Sequence, residues 1–135
     1  MIAVLDASVA VALVTDESGS KAASDATTGR EFLVPDTFWG EVSNALVRKV
    51  RLGILQRDEA LAAYTLLRRL VDRTVATQPL GPVAIALSLD LPHKLYDCFY
   101  LAAAIAHGAP LLTADRALHG AAVDAGYGPA VRLIS

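Results

Sequence analysis

Short apolar runs and longer amphipathic segments alternate along this chain. The run at residues 2–5 is short, rich in β-branched residues and followed by an acid, which predicts a buried strand. Residues 56–70 instead space their apolar positions by three and four, which predicts an amphipathic helix. The pattern predicts further strands at residues 32–34, 75–77, 111–113 and 131–134. It predicts further helices at residues 8–14, 20–28, 37–50, 82–89, 95–107 and 116–125.

Capping residues support these boundaries. Ser8 stands where the first helix needs an N-cap, and Gly108 stands where the long helix at 95–107 needs a C-cap. Alternation of strands with helices implies an α/β sandwich around a parallel sheet. No linker, repeat or low-complexity segment divides the chain, so we expect one domain over residues 1–135.

Four carboxylates stand at the ends of segments that are otherwise apolar. Only 19% of the residues are charged, so an acid inside an apolar segment is informative. Asp6 and Asp115 follow two predicted strands, Asp97 lies in the first turn of its helix, and Glu41 lies about one turn into its helix. Parallel sheets bind ligands outside the carboxyl ends of their strands, so the four acids can converge there. Buried carboxylates need a partner, and several together favour a hard divalent cation such as Mg²⁺, which often acts on phosphate esters.

The remaining composition limits the classes of partner. A net charge of -2 gives no overall attraction to nucleic acid, so an RNA partner would need a local basic patch. Arg48 and Arg51 end the Glu41 helix, and Arg116 directly follows Asp115. Cations at helix C-termini also interact favourably with the helix dipole, which leaves a structural explanation open. A single cysteine excludes an internal disulfide and a cysteine-based zinc site, and it is compatible with a reducing cytoplasm. We expect no membrane span.

Four motifs carry a resemblance to a known family. They are VLDAS at residues 4–8, EVSNAL at 41–46, YDCFYLA at 96–102 and LTADRAL at 112–118. In this order and spacing they resemble the PIN-domain ribonucleases, and most of all the VapC-type toxins of bacterial toxin–antitoxin pairs. The resemblance covers essentially the whole chain. It implies a PIN-like α/β/α sandwich with a central, mainly parallel sheet. It also implies a protein that is usually a homodimer and that cleaves RNA with Mg²⁺ or Mn²⁺.

The resemblance also implies roles for individual residues. Asp6, Glu41, Asp97 and Asp115 match the acids that form the catalytic metal site of the family. Supporting roles are expected for three polar residues near these acids, which are Ser8, Asn44 and Thr113. The motif departs from the family at one position, where Cys98 replaces a more usual alanine. The expected function is that of a metal-dependent endoribonuclease acting as the toxin of a type II pair, with RNA as substrate and an antitoxin as partner.

Other interpretations of the same residues remain open. Asp97 and Asp115 taken singly are ordinary helix caps, and Glu41 taken singly is an ordinary solvated helix residue. A receiver domain or a haloacid-dehalogenase-like phosphatase also has a strand-end acid, but the phosphatase needs a second acid where this chain has Ser8. A module that keeps the PIN fold and binds nucleic acid or protein without catalysis is the main alternative.

Several titratable residues are predicted to lie outside the site. Glu17 is interpreted as a solvated loop or helix-end charge. The three histidines, His93, His107 and His119, show no metal-ligand spacing with one another, so none is expected to bind the metal.

Overall fold

A single parallel sheet forms the centre of the molecule. The computed structural model describes residues 1–134. Within them the sheet has five strands in the order β3-β2-β1-β4-β5, and every neighbouring pair is parallel. The strands are β1 (Ile2–Leu5), β2 (Glu31–Pro35), β3 (Arg73–Val75), β4 (Leu111–Thr113) and β5 (Val131–Leu133). The predicted α/β sandwich with a central parallel sheet is confirmed.

Helices cover both faces of the sheet. The seven α-helices of the described residues are α1 (Ala7–Val14), α2 (Ser20–Thr27), α3 (Thr37–Arg51), α4 (Arg57–Leu70), α5 (Gly81–Asp90), α6 (Leu95–His107) and α7 (Arg116–Asp124). Helix α1 packs on α2, α3 and α4, whereas α5 packs on α6, and α6 lies against β1, β2 and β4. Right-handed crossovers place these two helical groups on opposite faces. No helix among residues 1–134 is long and apolar enough to cross a membrane.

Burial on both faces explains the composition of the central elements. Strands β1 and β4 are fully buried except for Ile2, which suits their continuous apolar runs. In α6 the buried residues include three consecutive alanines, Ala102–Ala104, whose small side chains let the helix lie close to the sheet. The helix ends at Gly108, which adopts the left-handed conformation with φ 59° and serves as the predicted C-cap.

Two predictions about local structure were wrong. The third strand occupies Arg73–Val75 instead of residues 75–77, because Asp72 and Phe32 pair just before it. The Asp72 amide donates to the Phe32 carbonyl at 2.9 Å, and the Asp72 carboxylate accepts from the Phe32 amide at 2.8 Å. The N-cap of α1 is Asp6 and not Ser8, since the Asp6 carboxylate accepts from the Ser8 amide.

The strand order creates a crevice above β1 and β4. From β1 the chain passes to β2 and β3 on one side of the sheet, and later returns to β4 on the other side of β1. Neighbouring parallel strands whose connections run in opposite directions leave an opening outside their carboxyl ends. Asp6 follows β1 and Asp115 follows β4 by two residues, so both acids lie at this opening.

Candidate metal centre

The four predicted carboxylates line one open cleft of about 570 Å³. Strand β1 delivers Asp6, the loop after β4 delivers Asp115, the fifth residue of α3 is Glu41, and the third residue of α6 is Asp97. Other residues of the same cleft are Ala7, Ser8, Val11, Glu17, Asn44, Ala45, Arg48, Lys49 and Lys94. The structure therefore brings together all four acids that the sequence motifs indicated.

Asp6 is the most deeply buried acid of the cleft. Its residue is 7% exposed, and its Oδ2 accepts the Thr113 hydroxyl at 2.5 Å. Its Oδ1 accepts only a long bond of 3.3 Å from the Ser8 amide. Burial raises the pKa of Asp6, and the charges of Asp97 and Asp115 raise it further, whereas the bonds from Thr113 and Ser8 lower it. A charged Asp6 is therefore poorly compensated by the protein alone.

Asp115 has a better compensated environment. It is the N-cap of α7, and its Oδ1 accepts the amides of Ala117 at 2.9 Å and Leu118 at 3.1 Å. The positive end of the helix dipole also favours a negative charge there. The Thr113 hydroxyl that donates to Asp6 accepts the Asp115 amide at 3.0 Å, so one side chain links the two acids. Both amide bonds use Oδ1, which leaves Oδ2 for another ligand.

Glu41 faces a second polar group that also lacks a partner. Within the described residues, neither Oε1 of Glu41 nor the hydroxyl of Tyr100 makes a hydrogen bond, although both atoms are buried. Burial raises the pKa of Glu41 to about 7, the nearby Tyr100 hydroxyl and Lys94 lower it, and Asp6 and Asp97 raise it. The two groups are thus close enough to interact without aligned hydrogen-bond geometry. Burial and the neighbouring carboxylates of Glu41 and Asp6 raise the pKa of Tyr100.

A histidine that sequence reasoning dismissed lies among the acids. His93 Nε2 is 2.8 Å from Asp97 Oδ2 and 3.9 Å from Asp115 Oδ2. One ligand atom from each of His93, Asp97 and Asp115 lies within 4.8 Å of the other two, and we call these residues the histidine cluster. In the spacing comparison the histidines were compared only with one another, and the acids near each of them were left out. The spacing of His93 to Asp97, one helical turn, was the signal that could have found it.

The supporting residues take different positions around the acids. The Ser8 hydroxyl accepts the Ala114 amide at 3.2 Å, which ties the segment after β1 to the segment after β4. Thr113 is fully buried between Asp6 and Asp115, as described above. Asn44 is exposed and lines the cleft one turn after Glu41. Sequence reasoning identified these residues but missed Tyr100, which shows no local signal because it lies inside an apolar helix.

Comparison with known proteins agrees with this arrangement. The family model of the PIN domain matches residues 3–123. The chain belongs to the PIN domain family. PIN domains are generally nucleases. No curated protein matches the sequence significantly.

Solved structures share the fold of this PIN domain. PAE2754 from Pyrobaculum aerophilum is 21% identical with a TM-score of 0.68, over 90% of this chain and 79% of that chain. A toxin–antitoxin complex from Klebsiella pneumoniae is 20% identical with a TM-score of 0.61, over 96% of this chain and 95% of that one. VapBC2 from Rickettsia felis, bound to a DNA fragment from its promoter, is 10% identical with a TM-score of 0.71 over all of both chains. At these identities the likeness establishes the fold.

The basic residues of this PIN domain fall into separate places. Arg48, Lys49 and Lys94 line the acidic cleft. Arg51 instead lines an apolar groove between α3 and α4, and Arg116 lies beside Ser8 in a different groove. Helical geometry explains why Arg48 and Arg51 line different grooves. Arg48 is seven residues from Glu41, which is two turns along the same face of α3, whereas Arg51 is ten residues from Glu41 and lies on another face.

Glu17 also differs from its predicted position in solvent. It lines the cleft of the PIN domain, where its Oε2 pairs with Lys49 Nζ at 2.9 Å and accepts the Thr15 hydroxyl at 3.0 Å. The side chains of Lys49 and Glu17 are 22% and 33% exposed. This ion pair joins the segment after α1 to the last turns of α3, and it reduces the positive charge that Lys49 presents to the cleft.

The donor set fits a divalent cation. Carboxylate oxygens dominate the cleft, and the buried Oε1 of Glu41 has no hydrogen-bond partner among residues 1–134. An unpaired buried carboxylate oxygen is costly, and a cation removes that cost. A cation would also reverse the mutual repulsion that contributes to the raised pKa values of Asp6 and Glu41.

Proposed function

We propose that this PIN domain is a metal-dependent endoribonuclease that acts as the toxin of a type II toxin–antitoxin pair. The observation that carries the proposal is the convergence of Asp6, Glu41, Asp97 and Asp115 in one cleft at the carboxyl ends of β1 and β4. Family membership supports nuclease chemistry, and all four acids expected from the resemblance line this cleft. In this proposal the whole chain, residues 1–135, acts as one nuclease domain.

The four acids would hold Mg²⁺, or Mn²⁺ in its place. Bound there, the cation would supply an acidified water and neutralise charge on the scissile phosphate. The protein prepares for this chemistry with its own contacts. Thr113 orients Asp6, and the first turn of α7 orients Asp115. Burial beside Tyr100 leaves the negative charge of Glu41 poorly compensated, which favours the binding of a cation there.

RNA is the proposed substrate, and the charges around the cleft support it. Arg48 and Lys94 are exposed and line the cleft beside the acids. Phosphate contacts of this kind provide most of the sequence-independent affinity for nucleic acid. With a net charge of -2 the chain as a whole does not attract nucleic acid, so these local cations would have to supply the attraction. Arg51 and Arg116 would contact RNA only beyond the cleft, along the grooves that they line.

An antitoxin is the proposed protein partner. The structures from Klebsiella pneumoniae and Rickettsia felis are described as a toxin–antitoxin complex and as VapBC2, which supports a cognate antitoxin for this chain as well. A guanidinium of that partner would suit the uncompensated carboxylates, because its donors match carboxylate oxygens in pairs. We further propose that the protein is a homodimer in the cytoplasm.

Cleavage of RNA by the purified protein tests the enzymatic proposal. End-labelled single-stranded RNA should be cut internally with Mg²⁺ or Mn²⁺ and left intact with EDTA. Asp6→Asn and Asp97→Asn should lose cleavage while keeping the wild-type far-ultraviolet circular dichroism. Retention of wild-type cleavage by either variant at limiting Mg²⁺ would exclude that residue from the metal site. Binding of RNA without any cleavage would favour the non-enzymatic alternative.

Assays with the partner test the toxin assignment. The product of a small neighbouring gene should suppress both the nuclease activity and any growth arrest caused by expression of this chain. Unchanged nuclease activity in its presence would count against the antitoxin. Sedimentation of a monomer at micromolar concentration would count against the dimer.

A further inference from the structure

We propose that His93 is a nitrogen ligand of the metal centre and that it shifts the centre's preference from Mg²⁺ towards Mn²⁺ and Co²⁺. The inference rests on the proposed metal-dependent function and goes beyond its all-carboxylate metal site. It uses the histidine cluster of His93, Asp97 and Asp115, in which a ring nitrogen stands beside two carboxylates.

The distances in the histidine cluster suit a shared ion. Ligand atoms held about 2.1 Å from one octahedral ion lie about 3 Å apart at right angles and about 4 Å apart when opposite. His93 Nε2 lies 2.8 Å from Asp97 Oδ2 and 3.9 Å from Asp115 Oδ2. Both separations match positions around one ion. The Oδ1 of Asp115 is already used by two amides of α7, so Oδ2 is the oxygen that remains for the same ion.

The backbone around His93 is held in place. The Ser88 hydroxyl of α5 donates to the His93 carbonyl at 2.5 Å, and Asp97 lies in the first turn of α6 four residues later. The His93 side chain is only 11% exposed, although it belongs to the connection between two helices. A ligand held by rigid neighbours loses little conformational entropy when it binds, which favours coordination.

The chemistry of imidazole predicts the direction of the preference. Mg²⁺ is a hard cation that prefers oxygen and gives up its water reluctantly. Imidazole nitrogen binds transition metals more strongly, and affinity for a given nitrogen and oxygen site rises from Mn²⁺ to Co²⁺. Replacing one oxygen ligand by His93 should therefore favour Co²⁺ and Mn²⁺ over Mg²⁺. A histidine that only orients Asp97 by a hydrogen bond would weaken all three cations by similar factors.

Metal binding to the nuclease provides the test without any activity assay. Calorimetric titration with Mn²⁺, Co²⁺ and Mg²⁺ would be compared for the wild type and His93→Gln. His107→Gln and His119→Gln are the matched controls, since neither of these histidines belongs to the histidine cluster. We expect His93→Gln to weaken Mn²⁺ and Co²⁺ binding about tenfold and Mg²⁺ binding less than threefold. The control variants should match the wild type for all three cations.

Pulsed electron paramagnetic resonance of bound Mn²⁺ provides a second measurement on the wild type itself, so the test does not depend on folding of a variant. We expect hyperfine coupling to a directly bound nitrogen, present in the wild type and His107→Gln and absent in His93→Gln. Absence of this coupling in the wild type, or an equal loss of all cations in His93→Gln, would overturn the role of His93 and leave the carboxylate site standing. Absence of any cation binding to the wild type would overturn the proposed metal-dependent function as well.

Discussion

The cleft holds its negative charge in two different ways. Asp6 and Glu41, which we call the buried pair, lack adequate partners, and burial raises the pKa of both. In the histidine cluster, Asp97 instead pairs with His93, and Asp115 accepts two amides from α7. The same residue type at the end of a parallel strand, Asp6 after β1 and Asp115 after β4, is therefore destabilised in one case and stabilised in the other.

This difference separates two tasks of one site. Hydrogen bonds already hold the side chains of the histidine cluster in position, so this cluster would provide a cation with ligands in a fixed arrangement. The buried pair is organised by packing and by Thr113 and Tyr100, and it gains most of its electrostatic compensation only when a cation binds. Functional sites commonly retain such unfavourable charge because activity requires it, at the expense of stability.

The largest expected effect is on the cleavage rate. The same substitutions should also change the stability of the buried pair and of the histidine cluster in different directions. Asp6→Asn and Asp115→Asn should each lower the cleavage rate about a thousandfold, since each removes a proposed metal ligand that supports several kcal/mol of charge stabilisation. In EDTA, the free energy of unfolding of Asp6→Asn should stay the same or rise. That of Asp115→Asn should fall by about 0.5 kcal/mol, because α7 loses a negative charge at its N-terminus. Denaturant unfolding of both variants checks the comparison, and a marked loss of stability in Asp6→Asn would contradict it.

A second expected effect is stabilisation by the cation. Mn²⁺ at about a hundred times its dissociation constant should raise the free energy of unfolding by about 2.7 kcal/mol, because the unfolded chain has no formed site. Thermal unfolding with Mn²⁺ and with EDTA measures this difference. The gain should shrink in Asp6→Asn. A full gain in that variant would mean that the buried pair takes no part in holding the ion.

A third effect concerns pH. The folded-state pKa of Glu41 is about 7, above its ordinary value of 4.5. The folded protein therefore binds this proton more tightly than the unfolded chain, so the stability due to this group is present below pH 4.5 and is lost as pH rises towards 7. In EDTA, Glu41→Gln should raise the free energy of unfolding at pH 8 by about 1 kcal/mol, a figure reduced for the partial exposure of the carboxylate.

The same variant should flatten the fall in stability between pH 4.5 and pH 7, as measured by urea unfolding across that range. Glu31→Gln, at an exposed residue of β2, is the matched control. If it changes the slope as much as Glu41→Gln does, the environment of Glu41 is not responsible.

The smallest effect separates the basic residues. Arg48→Ala should weaken RNA binding about threefold and lower the slope of log affinity against log salt by about 0.7, the value for one contact to a single-stranded phosphate. Arg51→Ala, three residues further along α3 and outside the acidic cleft, should change RNA binding less. Metal affinity should stay unchanged in both. Equal salt slopes in Arg48→Ala and the wild type would remove Arg48 from the RNA contact.

Sequence pattern alone determined the sheet class and most element boundaries. Strands β1 and β4 and helix α6 begin and end where the apolar runs and Gly108 predicted. These features are local, because a buried strand is recorded in its own apolar residues and a helix end in its own cap. The four acids were also identifiable, since each stands beside a recognisable apolar element. The β3 boundary was not, because it depends on the pairing of Asp72 with Phe32, 40 residues apart.

Only the tertiary structure decided how the acids are compensated. Thr113 reaches Asp6 across 107 residues of sequence because β1 and β4 are neighbours in the sheet. The raised pKa of Glu41 depends on burial beside Tyr100, and the role proposed for His93 depends on Asp115 of another loop. Contacts of this kind arise from strand order and helix packing, which no local spacing records. The sequence therefore determined which groups are present at the site, and the packing of the fold determined their energies.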